Sequence, residues 1–372
     1  MSTTVKLEEL LGFVGLGLSV TLHMIFVAIT LGVGLITAIY RYLAYKGSDA
    51  VLEAFARRSF RIMIISELFS GVWGTIITVF LAGFFPGLTA LATNVLFTPI
   101  AISIASIMIR IPSIAIFWYT WGRISPGIHS LIGWVMALSG FGIPLGFRTL
   151  FSEITYPHAV ALYLENNSAS PWAAYGSPVY WALYLHTLFA TISAGGFFLA
   201  SISSLEKHLL GASIGIRFGF GFLLAQLFAG PLYWYTLHRY SPYIFNAVTF
   251  GDFSPLLILK MVLVVSLLVL GTYSLAYLST RKEIHRHTLY LGPIALTIVV
   301  LGEVLNDGSR YPYIVVVGDK GLSLSTFFNF YMNIPPTVIY VILGFLVFSI
   351  AIFVTAFYYA IAKRFLAVEP EQ

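Results

Sequence analysis

The stretch VTLHMIFVAITLGVGLITAI, residues 20–39, decides the fold, because it is an apolar run with one ionisable side chain, His23. A helix needs roughly 20 apolar residues to cross a hydrocarbon core about 30 Å thick. About nine such segments lie near residues 11–39, 62–86, 94–119, 126–147, 178–203, 214–237, 254–278, 289–305 and 335–361. Lipid offers the backbone no hydrogen-bond partners, so the sequence predicts an all-α integral membrane protein, a helical bundle forming one domain over residues 1–372.

The composition excludes several other classes of protein. Of the 372 residues, 59% are hydrophobic and only 9% are charged, which is too apolar for a soluble domain. The chain contains no cysteine, which excludes disulfides, zinc–thiolate sites and iron–sulfur clusters held by its own side chains. The two longest connections, 148–177 and 306–333, are long enough to fold over a site, and three prolines and a glycine are expected to make the first of them irregular.

Basic residues alternate between the connections, and this alternation predicts the orientation. They concentrate in the first, third, fifth and seventh connections and in the tail, at Arg41, Lys46, Arg57, Arg58, Arg61, Arg123, Lys207, Arg217, Arg281, Lys282, Arg286, Lys363 and Arg364. Positive loops stay preferentially in the cytoplasm, so we expect the N-terminus outside and the C-terminus inside. The net charge of +5 is therefore explained by the membrane, and nucleic acid is not an expected partner.

Two histidines, His23 and His186, lie inside apolar segments. An ionisable group at bilayer depth is costly and usually marks a functional site. In the predicted topology His186 lies roughly 12 Å from the outer start of its helix. Lys260 and Met261 start another helix at the same side, and Glu303 ends a third. Imidazole and thioether groups are axial ligands of haem iron, so this set indicates a haem site in the outer half of the bilayer.

Three stretches resemble subunit I of the cytochrome bd quinol oxidases. His23-Met24-Ile25-Phe26-Val27-Ala28-Ile29-Thr30-Leu31-Gly32 is similar to the first-helix stretch of that family. His186-Thr187 followed by Gly195 is similar to its fifth-helix stretch. Glu303-Val304 followed by Arg310-Tyr311-Pro312-Tyr313 resembles its Glu-Val-Gly-Arg-Gln-Pro-Trp segment with a few residues inserted.

The resemblance implies a haem-binding subunit that passes electrons from quinol through a low-spin b haem to a high-spin haem, where oxygen is reduced. By this likeness His186 and Met261 hold the low-spin haem, His23 and Glu303 serve the high-spin site, and Lys260 and Arg310 are further cofactor-binding residues. The implied cofactor is one or more b haems, with a d-type haem as an open alternative. The implied setting is the plasma membrane of a prokaryote, beside a second membrane subunit.

The sequence also departs from the family pattern. The third helix of the family carries two carboxylates, whereas this chain has Ser103 at the first position and Arg110 or Ile111 at the second. Arg110 is expected to meet a haem propionate or Glu67, although Glu67 lies close enough to the basic loop to pair with Arg58 or Arg61 instead. A proton route would then need Glu303 or Glu153.

Two further departures concern the electron donor. Lys260 and Met261 are adjacent, whereas the family places its methionine two positions after a basic residue, so Met261 as a ligand requires a slip of one residue. The segment 238–253 is too short for the family's quinol-binding loop.

Two other functions stay open from the sequence. A divergent, paralogous partner subunit with few or no active haems would explain the missing carboxylates. A haem-free membrane transporter could place the same polar residues around a ligand, although no internal repeat of the kind common in transporters is found.

Overall fold

The computed structural model describes residues 7–166, 168–327, 336–363 and 365–366, which are almost entirely helical. The helices are α1 (Leu7–Gly47), α2 (Ala50–Phe84), α3 (Pro86–Val95), α4 (Phe97–Tyr119), α5 (Pro126–Thr155), α6 (His158–Asn166), α7 (Tyr180–Leu205), α8 (Leu209–Tyr240), α9 (Pro242–Thr249), α10 (Ser254–Arg281), α11 (Thr288–Gly308), α12 (Leu324–Phe327) and α13 (Pro336–Ala362). Strands β1 (Tyr313–Val317) and β2 (Lys320–Ser323) pair antiparallel.

The prediction of an all-α membrane bundle is confirmed. Within the described residues, eight helices are long and apolar enough to span a membrane, namely α1, α2, α4, α5, α7, α8, α10 and α11. Helix α13 is 27 residues long, and its described stretch Phe348–Ala362 is also apolar. The polypeptide is therefore a multi-pass membrane protein.

The antiparallel order of these helices gives the bundle two chemically different ends. The connections α1–α2, α4–α5, α7–α8 and α10–α11 meet at one end, where Arg58 of α2 pairs with Glu206, which follows α7. We call this the basic end. The other end carries the β1–β2 pair with the short helices α3, α6, α9 and α12, and we call it the hairpin end. That the basic end faces the cytoplasm stays a prediction.

Helices α1 and α7 are the most buried spans, and their crossing fixes the depth of both membrane histidines. A Cβ on Gly32 would lie 2.8 Å from the Cα of Gly195, so the two backbones approach as only glycine permits. Both helices run from the hairpin end to the basic end. His23 and His186 each precede the crossing glycine by nine residues, and they therefore lie at the same depth, in the hairpin-end half.

The first of the two long connections is more regular than the sequence predicted. Helix α5 continues through Pro144 to Thr155, and α6 follows almost at once, so residues 148–177 are largely helical. A proline inside a membrane helix is tolerated because neighbouring groups satisfy the freed carbonyl. In the second connection α11 extends to Gly308, and the β1–β2 pair follows it. That pair was not predicted, because the apolar run of β1 is only five residues long.

Candidate functional site

A buried ion pair joins Arg148 of α5 to Glu303 of α11 in the hairpin-end half. Nη2 of Arg148 lies 3.0 Å from Oε1 of Glu303, and the two side chains are only 6% and 10% exposed. The same nitrogen lies 3.4 Å from the sulfur of Met24, the neighbour of His23 on α1. Oε2 of Glu303 has no hydrogen-bond partner among the described residues. One carboxylate oxygen therefore remains for another group.

His23 is held in a defined tautomer by α2. Its Nδ1–H donates to the backbone carbonyl of Ser70 at 2.9 Å. Gly74, one turn further on, leaves space for the ring, because a Cβ there would lie 3.2 Å from its Cε1. The charges of Arg148 and Glu303 both act on this ring. With the proton on Nδ1, Nε2 keeps its lone pair, which is the arrangement typical of a metal-binding histidine.

His186 faces α8. Nε2 of Gln226 lies 2.5 Å from Nδ1 of the histidine, and the ring of Tyr233 lies 5.4 Å from the imidazole. A Cβ on Gly230 would approach Nδ1 to 3.8 Å, so this glycine also makes room for the ring. Oε1 of Gln226 has no hydrogen-bond partner among the residues described. A half-turn of this amide would let Oε1 accept from Nδ1–H and leave Nε2 of the histidine for a metal.

Lys260 and Met261 lie on different faces of α10. A Cβ on Gly302 would lie 3.2 Å from Nζ of Lys260, so the ammonium packs against α11 beside Glu303. Met261 is 51% exposed, because successive helical residues are about 100° apart around the axis. The structure thus brings Lys260 to the other candidate residues and leaves Met261 on the outer surface.

Asp307 and Arg310 extend the polar region toward the hairpin end. Arg310 is only 2% exposed. Its Nε donates to the carbonyl of Asn306 at 2.9 Å, and its Nη2 donates to Oγ1 of Thr155 at 2.7 Å. Burial lowers the pKa of Arg310, an effect that Asp307 opposes. Oδ1 of Asn306 accepts a hydrogen bond from Tyr233, which links this region to the surroundings of His186.

Four buried polar atoms of the residues described above have no hydrogen-bond partner within the described ranges. They are Oε1 of Gln226, Oε2 of Glu303, Oδ2 of Asp307 and one Nη of Arg310. Leaving such an atom unsatisfied costs about 1–3 kcal/mol, so four in one region indicate a polar ligand.

A haem fits this donor set. Iron would take an imidazole nitrogen or a carboxylate oxygen, and propionates would take the guanidinium and ammonium groups. The described part of the chain holds no group of three or more His, Asp or Glu side chains suited to a bare metal ion. Haem iron needs only one or two protein ligands.

Ser103 occupies the position at which the family carries the first of its two third-helix carboxylates, and the structure leaves no space there for a longer side chain. Ser103 of α4 is fully buried, and its Oγ donates to the carbonyl of Ile143 at 2.7 Å. A Cβ on Gly146 would clash with this hydroxyl and with the carbonyl of Pro99. Helices α4 and α5 therefore pack too closely here for a longer side chain or a cofactor.

Arg110 forms a closed ion pair with Glu67. Its Nε and Nη2 lie 2.8 and 2.7 Å from the two oxygens of Glu67, and its Nη1 donates to the carbonyl of Met136 at 2.8 Å. The predicted pairing of Glu67 with an arginine of the basic end is wrong, since Arg58 pairs with Glu206. The alternative prediction, that Arg110 meets Glu67, is confirmed.

Sequence reasoning missed three residues of this site. Arg148 is a cation inside an apolar helix, a signal that applies to it as much as to His23. Asp307 follows Glu303 by four residues and so lies on the same face of α11. Gln226 carries no charge, and nothing in its surrounding sequence distinguishes it.

Comparisons with known proteins agree with this fold. A family model described as cytochrome bd terminal oxidase subunit I matches residues 14–250. Among solved structures, the chain is similar to the bd oxidase from Geobacillus thermodenitrificans, with a TM-score of 0.79 and 17% identity over 96% of this chain and 98% of that chain. No curated protein matches the sequence. At this identity the structural likeness carries the fold alone, whereas the family model covers more than half of the chain.

Proposed function

Because the chain belongs to the cytochrome bd terminal oxidase subunit I family, we propose that it is a haem-binding subunit of a bd-type quinol:oxygen oxidoreductase. In this proposal His186 would hold a low-spin b haem, which would supply the acceptance of electrons from quinol. His23 and Glu303 would hold a high-spin haem, which would supply oxygen reduction. Family membership favours such a subunit over a haem-free transporter. The proposed location is the plasma membrane of a prokaryote.

The main support is the common depth of the two histidines. His23 and His186 each precede the α1–α7 crossing by nine residues, and the charge of Arg148 acts on both rings. Two ionisable rings at one depth of a membrane bundle, beside buried atoms without partners, are costly unless they bind something.

We assign the remaining residues by their chemistry. Lys260 and Arg310 are candidates for haem propionates, because Lys260 is a half-buried cation and one Nη of the buried Arg310 has no hydrogen-bond partner among the described residues. Met261 stays a proposed ligand of the low-spin haem, and it could reach the His186 side only if α10 turned by about 100°. When bound, haem supplies one-electron transfer and, in its high-spin form, oxygen binding.

Protons for oxygen reduction would enter through α11. Glu153 is committed to structure, because its carboxylate accepts from the backbone N–H groups of Ala159 and Val160 at the start of α6. Asp307 and Glu303 lie one helical turn apart, and each has an oxygen without a hydrogen-bond partner among the described residues. We propose that Asp307 passes protons to Glu303, which holds one near the high-spin position.

A second candidate function is supported by the closed α4–α5 interface. Ser103 leaves no space for a carboxylate, and Arg110 is fully engaged by Glu67. A chain without these acids would suit a paralogous partner subunit that keeps one haem at His186, or only the scaffold. Quinol would then bind elsewhere in the complex, since α9 occupies the short segment 238–253.

The test is the dithionite-reduced minus oxidised visible spectrum of the purified complex, with pyridine haemochrome analysis for the number of haems. We expect His186→Ala to abolish the low-spin b bands while the protein stays inserted. His238→Ala, at an exposed histidine on α8, is the matched control and should change nothing. An unaltered spectrum in His186→Ala would refute the proposed ligand.

The same spectra distinguish the two candidates. Two or more haems with a band sensitive to carbon monoxide support an oxidase subunit that reduces oxygen. A single b haem insensitive to carbon monoxide supports the partner subunit.

A further inference from the structure

Gln226, Gly230 and Tyr233 lie on one face of α8, and this face surrounds the ring of His186 on α7. The three positions are four and three residues apart, so they follow one side of the helix. Nε2 of Gln226 lies 2.5 Å from Nδ1 of the histidine and 3.3 Å from its Nε2. Gly230 leaves space for the ring, and the ring of Tyr233 packs against it at 5.4 Å. The amide of Gln226 therefore lies beside the edge of the imidazole that carries both nitrogens.

Within the described chain, Gln226 is the one side chain that forms a hydrogen bond with this ring. The charges that act on the imidazole are those of Lys260 and Arg148, and both are cations. Ammonium and guanidinium groups offer no acceptor to a ring N–H. His186 thus depends on Gln226 for the hydrogen bond that a metal-binding imidazole makes through its second nitrogen.

The amide can meet the ring in two orientations, and they leave different nitrogens of His186 free. When the NH₂ group of Gln226 donates to Nδ1, a neutral imidazole carries its proton on Nε2, and that nitrogen cannot bind a metal. In this orientation Oε1 is buried and has no hydrogen-bond partner among the described residues. After a half-turn, Oε1 accepts from Nδ1–H, and Nε2 keeps its lone pair. The second orientation therefore satisfies the amide and frees the ligand atom at the same time.

His23 has a partner of a different kind. Its Nδ1–H donates to the backbone carbonyl of Ser70 at 2.9 Å, and this carbonyl can only accept. The partner of His186 is a side chain with both a donor and an acceptor, and a substitution can change it without altering the backbone. Of the two rings, His186 is therefore the one whose hydrogen bond a single side chain controls.

We propose that Gln226 is the positioning residue of His186: its Oε1 accepts from Nδ1–H, fixes the tautomer that binds iron and lowers the reduction potential of the low-spin haem. This inference rests on the proposed function, because it takes His186 as an axial ligand. An acceptor at Nδ1–H makes the imidazole more basic, and a more basic ligand favours ferric over ferrous iron. Removal of the acceptor should therefore favour the ferrous state.

The experiment is a redox titration of the low-spin b bands in the purified complex, with the electron paramagnetic resonance spectrum of the oxidised haem as a second readout. Gln226→Leu removes the acceptor, and we expect the reduction equilibrium to move about tenfold toward ferrous haem, a rise of ~59 mV for one electron. Gln226→Glu offers a stronger acceptor and should move the equilibrium in the other direction. Leu227→Ala, at an exposed position on the same turn of α8, is the control and should stay within about twofold.

Opposite shifts in the two Gln226 variants support the proposal, because a packing defect would shift both in one direction. Shifts of the same sign, or no shift in either variant with the bands intact, overturn it. If Gln226→Leu binds no haem, normal haem binding in Gln226→Glu supports the role of the acceptor, and loss of haem in both variants overturns it.

The parent complex separates this inference from the function on which it rests. A parent complex without a b haem contradicts the proposed function and the role of Gln226 together. A parent complex that holds the b haem, with variants that leave its potential unchanged, contradicts only the role of Gln226.

Discussion

The ion pairs Arg110–Glu67 and Arg148–Glu303 each join two membrane helices, and they differ in how completely their atoms are used. The pair Arg110–Glu67 joins two nitrogens to both carboxylate oxygens, and the third nitrogen binds a backbone carbonyl. The pair Arg148–Glu303 rests on one contact of 3.0 Å and leaves Oε2 of Glu303 without a partner among the described residues. The same residue types thus form a closed structural contact in one place and an open site in the other.

The surroundings explain this difference. The closed pair borders the tight α4–α5 interface, where a Cβ on Gly140 would clash with the guanidinium of Arg110. The open pair lies near His23, His186 and Lys260, on each of which the charge of Arg148 or Glu303 acts, and Oε1 of Gln226 and Oδ2 of Asp307 also have no hydrogen-bond partner among the described residues. A buried charge stabilises a fold only when its hydrogen bonds are complete, so incompleteness is a sign of a ligand site.

The largest effect is expected from breaking the closed pair. In Glu67→Ala, Arg110 keeps its buried charge without its carboxylate, and we expect a loss of about 3 kcal/mol in the free energy of unfolding. The haem spectrum of the protein that remains folded should be unchanged. Unfolding in detergent, followed by circular dichroism against denaturant concentration, measures the loss.

The double variant Glu67→Leu with Arg110→Leu is the control for this prediction. It removes both charges together, so most of the lost stability should return. The structural role of this pair would be contradicted if the haem spectrum changed in Glu67→Ala and stayed unchanged in a variant that is equally destabilised at another position.

Breaking the open pair should reduce activity strongly and stability only slightly. In Glu303→Gln the amide oxygen still accepts from Arg148, so we expect a loss of only about 1–2 kcal/mol in stability. The carboxylate that faces the proposed high-spin haem is lost, and oxygen consumption and the carbon monoxide difference spectrum should both fall strongly. Unchanged oxygen consumption would remove Glu303 from the proposed proton route.

How far the sequence predicts this molecule depends on the kind of interaction. Apolar length and charge alternation predict the helices, and intramembrane histidines predict the candidate site, because each follows from the cost of polar groups in lipid. The direction in which a side chain points depends on tertiary packing and does not follow from these rules. Met261 and Lys260 are one residue apart, and only the packing of α10 decides that Lys260 turns inward. The Arg110–Glu67 pair joins two helices, and α2 alone does not indicate its partner.

At the basic end, His208 lies beside the ion pair Arg58–Glu206 and makes stability depend on pH. His208 beside it accepts a hydrogen bond from the backbone N–H of Gly211, and burial together with the charge of Arg58 lowers the pKa of His208 to about 4. The folded state therefore binds fewer protons than the unfolded state between about pH 4 and 6.5. Stability should be complete above pH 6.5 and fall by about 1 kcal/mol toward pH 5, after allowance for solvent screening of a partly exposed ring.

His208→Asn separates this titration from the capping hydrogen bond. Asparagine also accepts at a helix N-terminus, so the α8 cap is kept while the ionisable group is removed. Thermal unfolding from pH 5 to 7.5 should be flatter in this variant than in the parent protein. An equal slope in both would assign the acid sensitivity to other groups.

The smallest effect is expected at Met261, and it tests whether the open site extends to the outer face of α10. The side chain is 51% exposed, so Met261→Leu should change stability by less than about 0.5 kcal/mol. Lys260→Leu is the matched neighbour, and removal of the inward cation beside Glu303 should shift the midpoint potential of the proposed low-spin haem. Loss of the low-spin band in Met261→Leu, but not in Lys260→Leu, would mean that α10 turns when haem binds and that the methionine is the ligand.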